Sequence, residues 1–343
     1  MLHRRCISVR CDVNNVIMRR LVEGKTRRMT IKRLQNRIAE SRYALPLAAL
    51  YVMGVWYLYG AVEQKLYIPF ATLIVSTYLM VELNNANALI RIYSRMVSCS
   101  FLMLTTMASF LFSSLCCELV MLCVITFYTI ILHTYQDKSA PGLAFYAFLS
   151  LGIASVIFVK ILFFVPFLWL LMGFRLLAFS PRMFIASLLG LIAPYWFILP
   201  WCFYRGDLSW LTAHFTELTT FEQLFGGLPM VFDEHLWITI AFVIFVSFIG
   251  IVHFLRNSSM DKIRTQMIYE MLIILQLLTI TFAVLQPSQA DVLLGILIIN
   301  ASILIAHFIA LTNTKLTNIM FCILVTLVLL ITGYNLWMPS LLF

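Results

Sequence analysis

The sequence predicts an all-α protein: a polytopic transmembrane helical bundle of about 11 spans, N-terminus inside and C-terminus outside. Three observations carry that expectation. Hydrophobic residues make up 62% of the chain and charged residues 11%, and the mean hydropathy is +0.95. A soluble domain holds about 45–50% apolar and about 25% charged residues, so the bilayer must solvate most of this chain. The apolar residues fall into runs of membrane-crossing length, and the cations collect on alternate connectors.

The runs are 44–61, 67–83, 96–113, 117–133, 143–159, 161–176, 183–203, 237–255, 267–285, 291–311 and 316–334. A helical crossing needs about 20 apolar residues, with a range of about 17–25. The stretch 143–176 is too long for one straight crossing and short for two, with Lys160 in its middle. Charge decides in favour of a hairpin. With it, inner connectors hold Arg91, Arg95, Lys138, Arg175, Arg182, Arg256, Lys262, Arg264 and Lys315, and the outer side holds Lys65, Lys160 and Arg205. A single crossing would put five of the inner cations outside, against the positive-inside rule. On the hairpin reading, Lys160 sits at the tip and reaches outer headgroups. Trp56, Trp196, Trp201, Trp210, Trp237 and Trp337 then fall at the outer ends of spans, as an interfacial aromatic belt would.

The chain divides into a basic cytoplasmic segment, 1–42, and a transmembrane domain, 43–343, with one long outer loop at 206–236. Half of the 24 Lys and Arg lie in 1–42, so the net charge of +9 reads as an anchor to anionic headgroups. No nucleic-acid-binding fold accompanies the run, and nucleic acid is not an expected partner. Residues 1–28 lack any apolar period and precede a conventional start at Met29. They are expected to be a disordered tail or an artefact of start-site choice.

The eight cysteines show no C-x-x-C spacing, so no metal is expected, nor any cofactor. A disulfide from Cys202 to Cys116 or Cys117 is the less favoured reading. There is no Walker motif, no H-E-x-x-H and no G-x-S-x-G, which weighs against an enzyme.

Three polar groupings stand out. Asn84, Asn87, Arg91 and Arg95, with Ser94, share one face if 82–95 is helical. Two Arg forks one turn apart, flanked by amides, suit an anionic headgroup at the inner leaflet. The plainer reading is an interfacial helix with snorkelling Arg heads. In the outer loop, Leu211, Phe215, Leu218, Phe221 and Phe225 form the apolar stripe of a helix lying on the outer leaflet. His214 and Glu217, then Asp233, Glu234 and His235, could gather there as an acid–base site, or be ordinary solvated charges. Within the membrane, Gln276 and Asn300 lie at similar depth in neighbouring spans and are expected to hydrogen-bond as helix glue. Glu270, near the inner end of its span, and His133, His253 and His307, near inner span ends, are residues a proton relay could use, although hydrated interfacial residues are the simpler reading.

The stretches 81–96 (VELNNANALIRIYSRM), 135–155 (YQDKSAPGLAFYAFLSLGIAS) and 188–197 (LLGLIAPYWF) resemble segments of an uncharacterised family of bacterial multi-span inner-membrane proteins. The resemblance covers roughly 29–343. It implies location in the bacterial inner membrane and a multi-pass architecture, and no activity or catalytic residue transfers from it. The leading functional expectation is a protein that handles an envelope lipid, glycan or lipid-linked intermediate, with membrane lipids as partners. The alternatives are a small-solute transporter and a non-catalytic scaffold of an envelope complex.

Overall fold

The computed structural model describes residues 33–206, 209–220 and 234–337. Residues 1–28, Asp207, Phe221, Phe225 and Asp233 lie outside the described residues, so the N-terminal expectation and two of the five residues of the outer stripe do too.

Among the described residues the fold is helical, with thirteen α-helices and no strand. A short helix, α1 (Leu34–Ala39), precedes α2 (Ala44–Leu58), α3 (Tyr67–Asn87), α4 (Met96–Met107) and α5 (Leu115–Ile131). Then come α6 (Pro141–Ile157), α7 (Val165–Phe174), α8 (Pro181–Arg205) and α9 (Ser209–Thr216). The last four are α10 (Glu234–Asn257), α11 (Ile263–Leu285), α12 (Ala290–Leu311) and α13 (Lys315–Trp337). Seven helices (α3, α5, α8, α10, α11, α12 and α13) are long and apolar enough to cross a membrane. The apolar runs at 44–61, 96–113, 143–159 and 161–176 form shorter apolar helices. Two of these runs carry 3-10 turns, Ser109–Ser113 after α4 and Val159–Phe164 before α7.

Local chemistry sets many of the boundaries. Pro141 and Pro181 open α6 and α8, where their missing N–H groups cost nothing. Ser180 caps α8 by accepting from Met183 N at 3.3 Å, and Ser114 caps α5 by accepting from Cys117 N at 3.4 Å. Between α5 and α6, Asp137 accepts from Ser139 N and Oγ at 2.8 and 2.6 Å. Those bonds hold its exposed carboxyl below the ordinary carboxylate range.

The centre of the bundle is α12: 94% of its membrane-length window is buried, against 22% for α13. It packs on α4, α5, α10 and α11. Two backbone approaches depend on glycine. A Cβ on Gly190 of α8 would lie 2.4 Å from Phe145 O of α6, and one on Gly250 of α10 would lie 2.7 Å from the Leu304 carbonyl carbon of α12. Small residues let membrane helices meet backbone to backbone in this way.

Connector contacts sort the helix ends into two sets. At the basic end, Gln35 Nε2 donates to Ile309 O and Thr312 Oγ1, both at 2.7 Å. Arg264 there donates to Asn87 Oδ1 at 2.8 Å, and Arg175 pairs with Glu270. At the opposite end, Asn335 Nδ2 donates to Met107 O at 2.7 Å.

Two expectations need correcting, at Lys160 and Trp56. Lys160 does not reach outward. It is 4% exposed and donates from Nζ to Gln286 Oε1 at 2.7 Å, because the 3-10 turn before α7 folds it against the end of α11. Trp56 does not join an interfacial belt. It is buried and stacks on Phe112 with ring centroids 4.2 Å apart. Trp196, Trp201 and Trp337 are exposed, as a belt requires. Cys116, Cys117 and Cys202 are all free thiols.

Candidate functional site

The densest polar chemistry lies just beneath the basic end, where α10, α11 and α12 meet. After α10, the 3-10 turn Ser258–Met260 reverses the chain and tucks Asp261 under the bundle. Gln266 Nε2 holds this turn by donating to Ser258 O at 2.7 Å and Asp261 O at 2.9 Å. The Asp261 carboxylate has no exposed surface and receives two partners. Arg91 Nε lies 2.9 Å from Oδ1, and His307 Nε2 of α12 lies 3.0 Å from Oδ2. The Arg91 N–H is off-line for a hydrogen bond to Oδ1, so that contact is chiefly coulombic. Arg91 also donates to Met260 O at 2.9 Å.

The chain of contacts continues. His307 Nδ1 lies 3.3 Å from His253 Nδ1 on α10. A carboxylate can only accept, so His307 carries its proton on Nε2 and presents a lone pair at Nδ1. His253 therefore donates from Nδ1, which leaves its Nε2 as the acceptor. Tyr269 and Phe254 close the site: their rings stack at 4.9 Å, and the Tyr269 ring meets His307 edge-on at 4.8 Å.

One heptad deeper lies a second polar layer. Asn300, seven residues before His307 on α12, accepts from Tyr128 Oη at 3.0 Å. Gln276, seven residues after Tyr269 on α11, donates to Ser247 Oγ at 2.7 Å. The expected hydrogen bond between Gln276 and Asn300 is therefore replaced by two bonds to other helices. Each amide faces the neighbour it packs on, α10 for Gln276 and α5 for Asn300. Gln276 Oε1 and Asn300 Nδ2 are left without partners.

Beside this core, α2, α4, α10, α12 and α13 enclose a lateral apolar cleft of about 450 Å³. Met103, Phe242, Ile309 and Phe321 line it, and Ser100 and Tyr51 are among its few polar groups. The Tyr51 hydroxyl is already used, donating to Thr332 Oγ1 at 2.9 Å. The rim at the basic end is formed by Ile38, Ser41 and Tyr43. Arg37 and Arg42, next in sequence to Ile38 and to Ser41 and Tyr43, are both exposed, and neither makes an ion pair among the described residues.

The other groupings read from sequence do not assemble as expected. The helical stripe of Asn84, Asn87, Arg91 and Arg95 is broken because α3 ends at Asn87, with Ala88 in the left-handed region at φ 47°. Asn84 donates to Ser94 O at 3.0 Å, and Asn87 accepts from Arg264. Arg91 turns to Asp261, whereas Arg95 donates to the Tyr93 hydroxyl at 3.2 Å. In the outer loop, α9 ends at Thr216, and His214 Nε2 meets Ser155 O at 3.0 Å and Tyr195 Oη at 3.3 Å. His235 instead meets Asn335 Oδ1 at 3.0 Å and stacks on Tyr334. The two histidines thus pack on different helices, while Glu217 follows α9, Glu234 opens α10, and Asp233 lies outside the described residues. Among the described residues, no group of three or more His, Cys, Asp or Glu is placed to hold a metal ion.

Asp261 is the residue sequence reasoning passed over. It is the lone carboxylate among Arg256, Lys262 and Arg264, and that isolation was the available signal. No protein-family model, curated protein or solved structure matches the chain.

Proposed function

We propose that the protein is a bacterial inner-membrane protein that takes up the hydrocarbon chain of an anionic envelope lipid or lipid-linked intermediate. The observation that carries this reading is the lateral cleft, apolar along its length, whose rim residues Ile38, Ser41 and Tyr43 are next in sequence to the exposed Arg37 and Arg42. Ligand pockets span about 300–1,000 Å³, so about 450 Å³ is ample for one hydrocarbon chain. A small polar solute would find few polar groups there. Arg91 spends its guanidinium on Asp261 and Met260, so headgroup contact passes from the 88–95 segment to Arg37 and Arg42.

The test is lipid retention through purification in mild detergent. The unmodified protein should carry an anionic lipid detectable by native mass spectrometry. Ser100→Trp, which fills the cleft, should remove it at an unchanged elution profile. Arg37→Gln with Arg42→Gln should lower the ratio of anionic to zwitterionic lipid several-fold. Retention unchanged in both variants would refute the reading.

The reading includes eleven spans, with the basic end cytoplasmic and the C-terminus outside. It is supported by the resemblance to bacterial inner-membrane proteins and by the gathering of residues 91, 175, 264 and 315 at one end. Reporter fusions at Arg182 and Asp207 should report opposite sides of the membrane. The same side for both would overturn the span assignment.

A further inference from the structure

The Asp261–His307–His253 chain has a direction. Its inner terminus is a carboxylate with no exposed surface, and His307 is likewise 0% exposed. Its outer terminus, His253, is half-buried, and no hydrogen bond occupies His253 Nε2 among the described residues. A proton arriving from the basic end can therefore reach His253 and cannot reach His307 directly. We propose that Asp261, His307 and His253 form a one-proton binding site, loaded through His253 Nε2.

The bookkeeping of atoms is simple. The incoming proton binds His253 Nε2. The proton on His253 Nδ1 then crosses the 3.3 Å gap to His307 Nδ1. His253 is left neutral as its Nε2–H tautomer. His307 becomes an imidazolium whose Nε2–H already points at Asp261 Oδ2, 3.0 Å away. The net result is one positive charge moved from the surface to a buried carboxylate. A second proton is refused, because it would set two N–H groups head-on across the same gap.

The groups acting on this charge come from each element packed around it. Asp261, on the α10–α11 connector, attracts it. Arg91, on the α3–α4 connector, repels it. Tyr269, on α11, is in ring contact with His307. Arg256, one turn beyond His253 on α10, is exposed. Arg91 and Asp261 thus pull the loading midpoint in opposite directions, and this opposition is the signature to look for.

The experiment is a pH titration of histidine ring resonances in the full chain, 15N-labelled at histidine, in detergent micelles. Single His→Gln variants at the six histidines assign the signals. Signals from His253 and His307 should move together through one midpoint and one proton. Asp261→Asn should lower that midpoint by about one pH unit or more, and Arg91→Gln should raise it by a similar amount. Arg91→Lys keeps the charge and should leave it in place, which separates the charge effect from a merely structural role of the guanidinium. Separate midpoints for the two rings, no titration between about pH 4 and 9, or shifts of the same sign in Asp261→Asn and Arg91→Gln would each overturn the proposal. The outcome does not depend on what occupies the cleft.

Discussion

Gly190→Val is expected to yield little or no folded protein. A Cβ at this position would sit 2.4 Å from Phe145 O and 3.0 Å from Leu149 N, both backbone atoms of the helix facing it. No rotamer change relieves such a clash. The α6–α8 pair, the most extensively packed in the bundle, must separate instead. Overpacking a close contact costs about 1–3 kcal/mol and occasionally more, and valine here falls at or beyond the upper end. Gly54→Ala is the matched control. Gly54 also lies in a helix, yet nothing is within 4 Å of its would-be Cβ. That variant should be neutral or gain up to about 1 kcal/mol from helix propensity. Thermal melts followed by size-exclusion fluorescence distinguish the two. If Gly190→Val melts like the parent, the close approach of α6 and α8 does not exist.

The second large effect has the opposite sign. Glu118, in the first turn of α5, is 0% exposed, and neither carboxylate oxygen has a partner. Leaving a buried polar group unsatisfied costs about 1–3 kcal/mol, and more if it is charged. Glu118→Met keeps the length of the side chain and removes both oxygens, so the melting temperature should rise. Stability forgone at one residue is a common mark of use. A clear fall in melting temperature would show that the carboxyl is paired after all.

Much of the architecture could be read from the chain because the bilayer imposes a simple pattern. Each of the apolar runs corresponds to a helix, seven of them long enough to cross a membrane. Side-chain pairing was less legible. The helix through 82–95 looked continuous because no Gly or Pro interrupts it, yet Ala88 adopts a left-handed conformation that helix propensity disfavours. That single break turns Arg91 toward Asp261 and away from Arg95. Gln276 and Asn300 share a depth, but depth leaves rotation about the helix axis undetermined, and rotation decides that they meet Ser247 and Tyr128. The place of Lys160 at a hairpin tip predicts an outward-facing side chain. Its partner, Gln286, is 126 residues away and could be found only from the fold. Asp261 and His307 are separated by 46 residues, and a connector carboxylate gives no local sign that it folds inward.

The burial of α12 bears on how the chain is made. Helices enter the membrane in the order of synthesis, and α12 is next to last. By hydropathy it could rest in lipid as an independent span. Its Asn300 and His307 then lack the partners supplied by α5 and the α10–α11 connector. The helices released earlier must therefore hold a slot open, or close one around α12 after it arrives. The Tyr128–Asn300 and His307–Asp261 contacts thus form only once α12 is in place, whereas the Gln276–Ser247 bond can form before it.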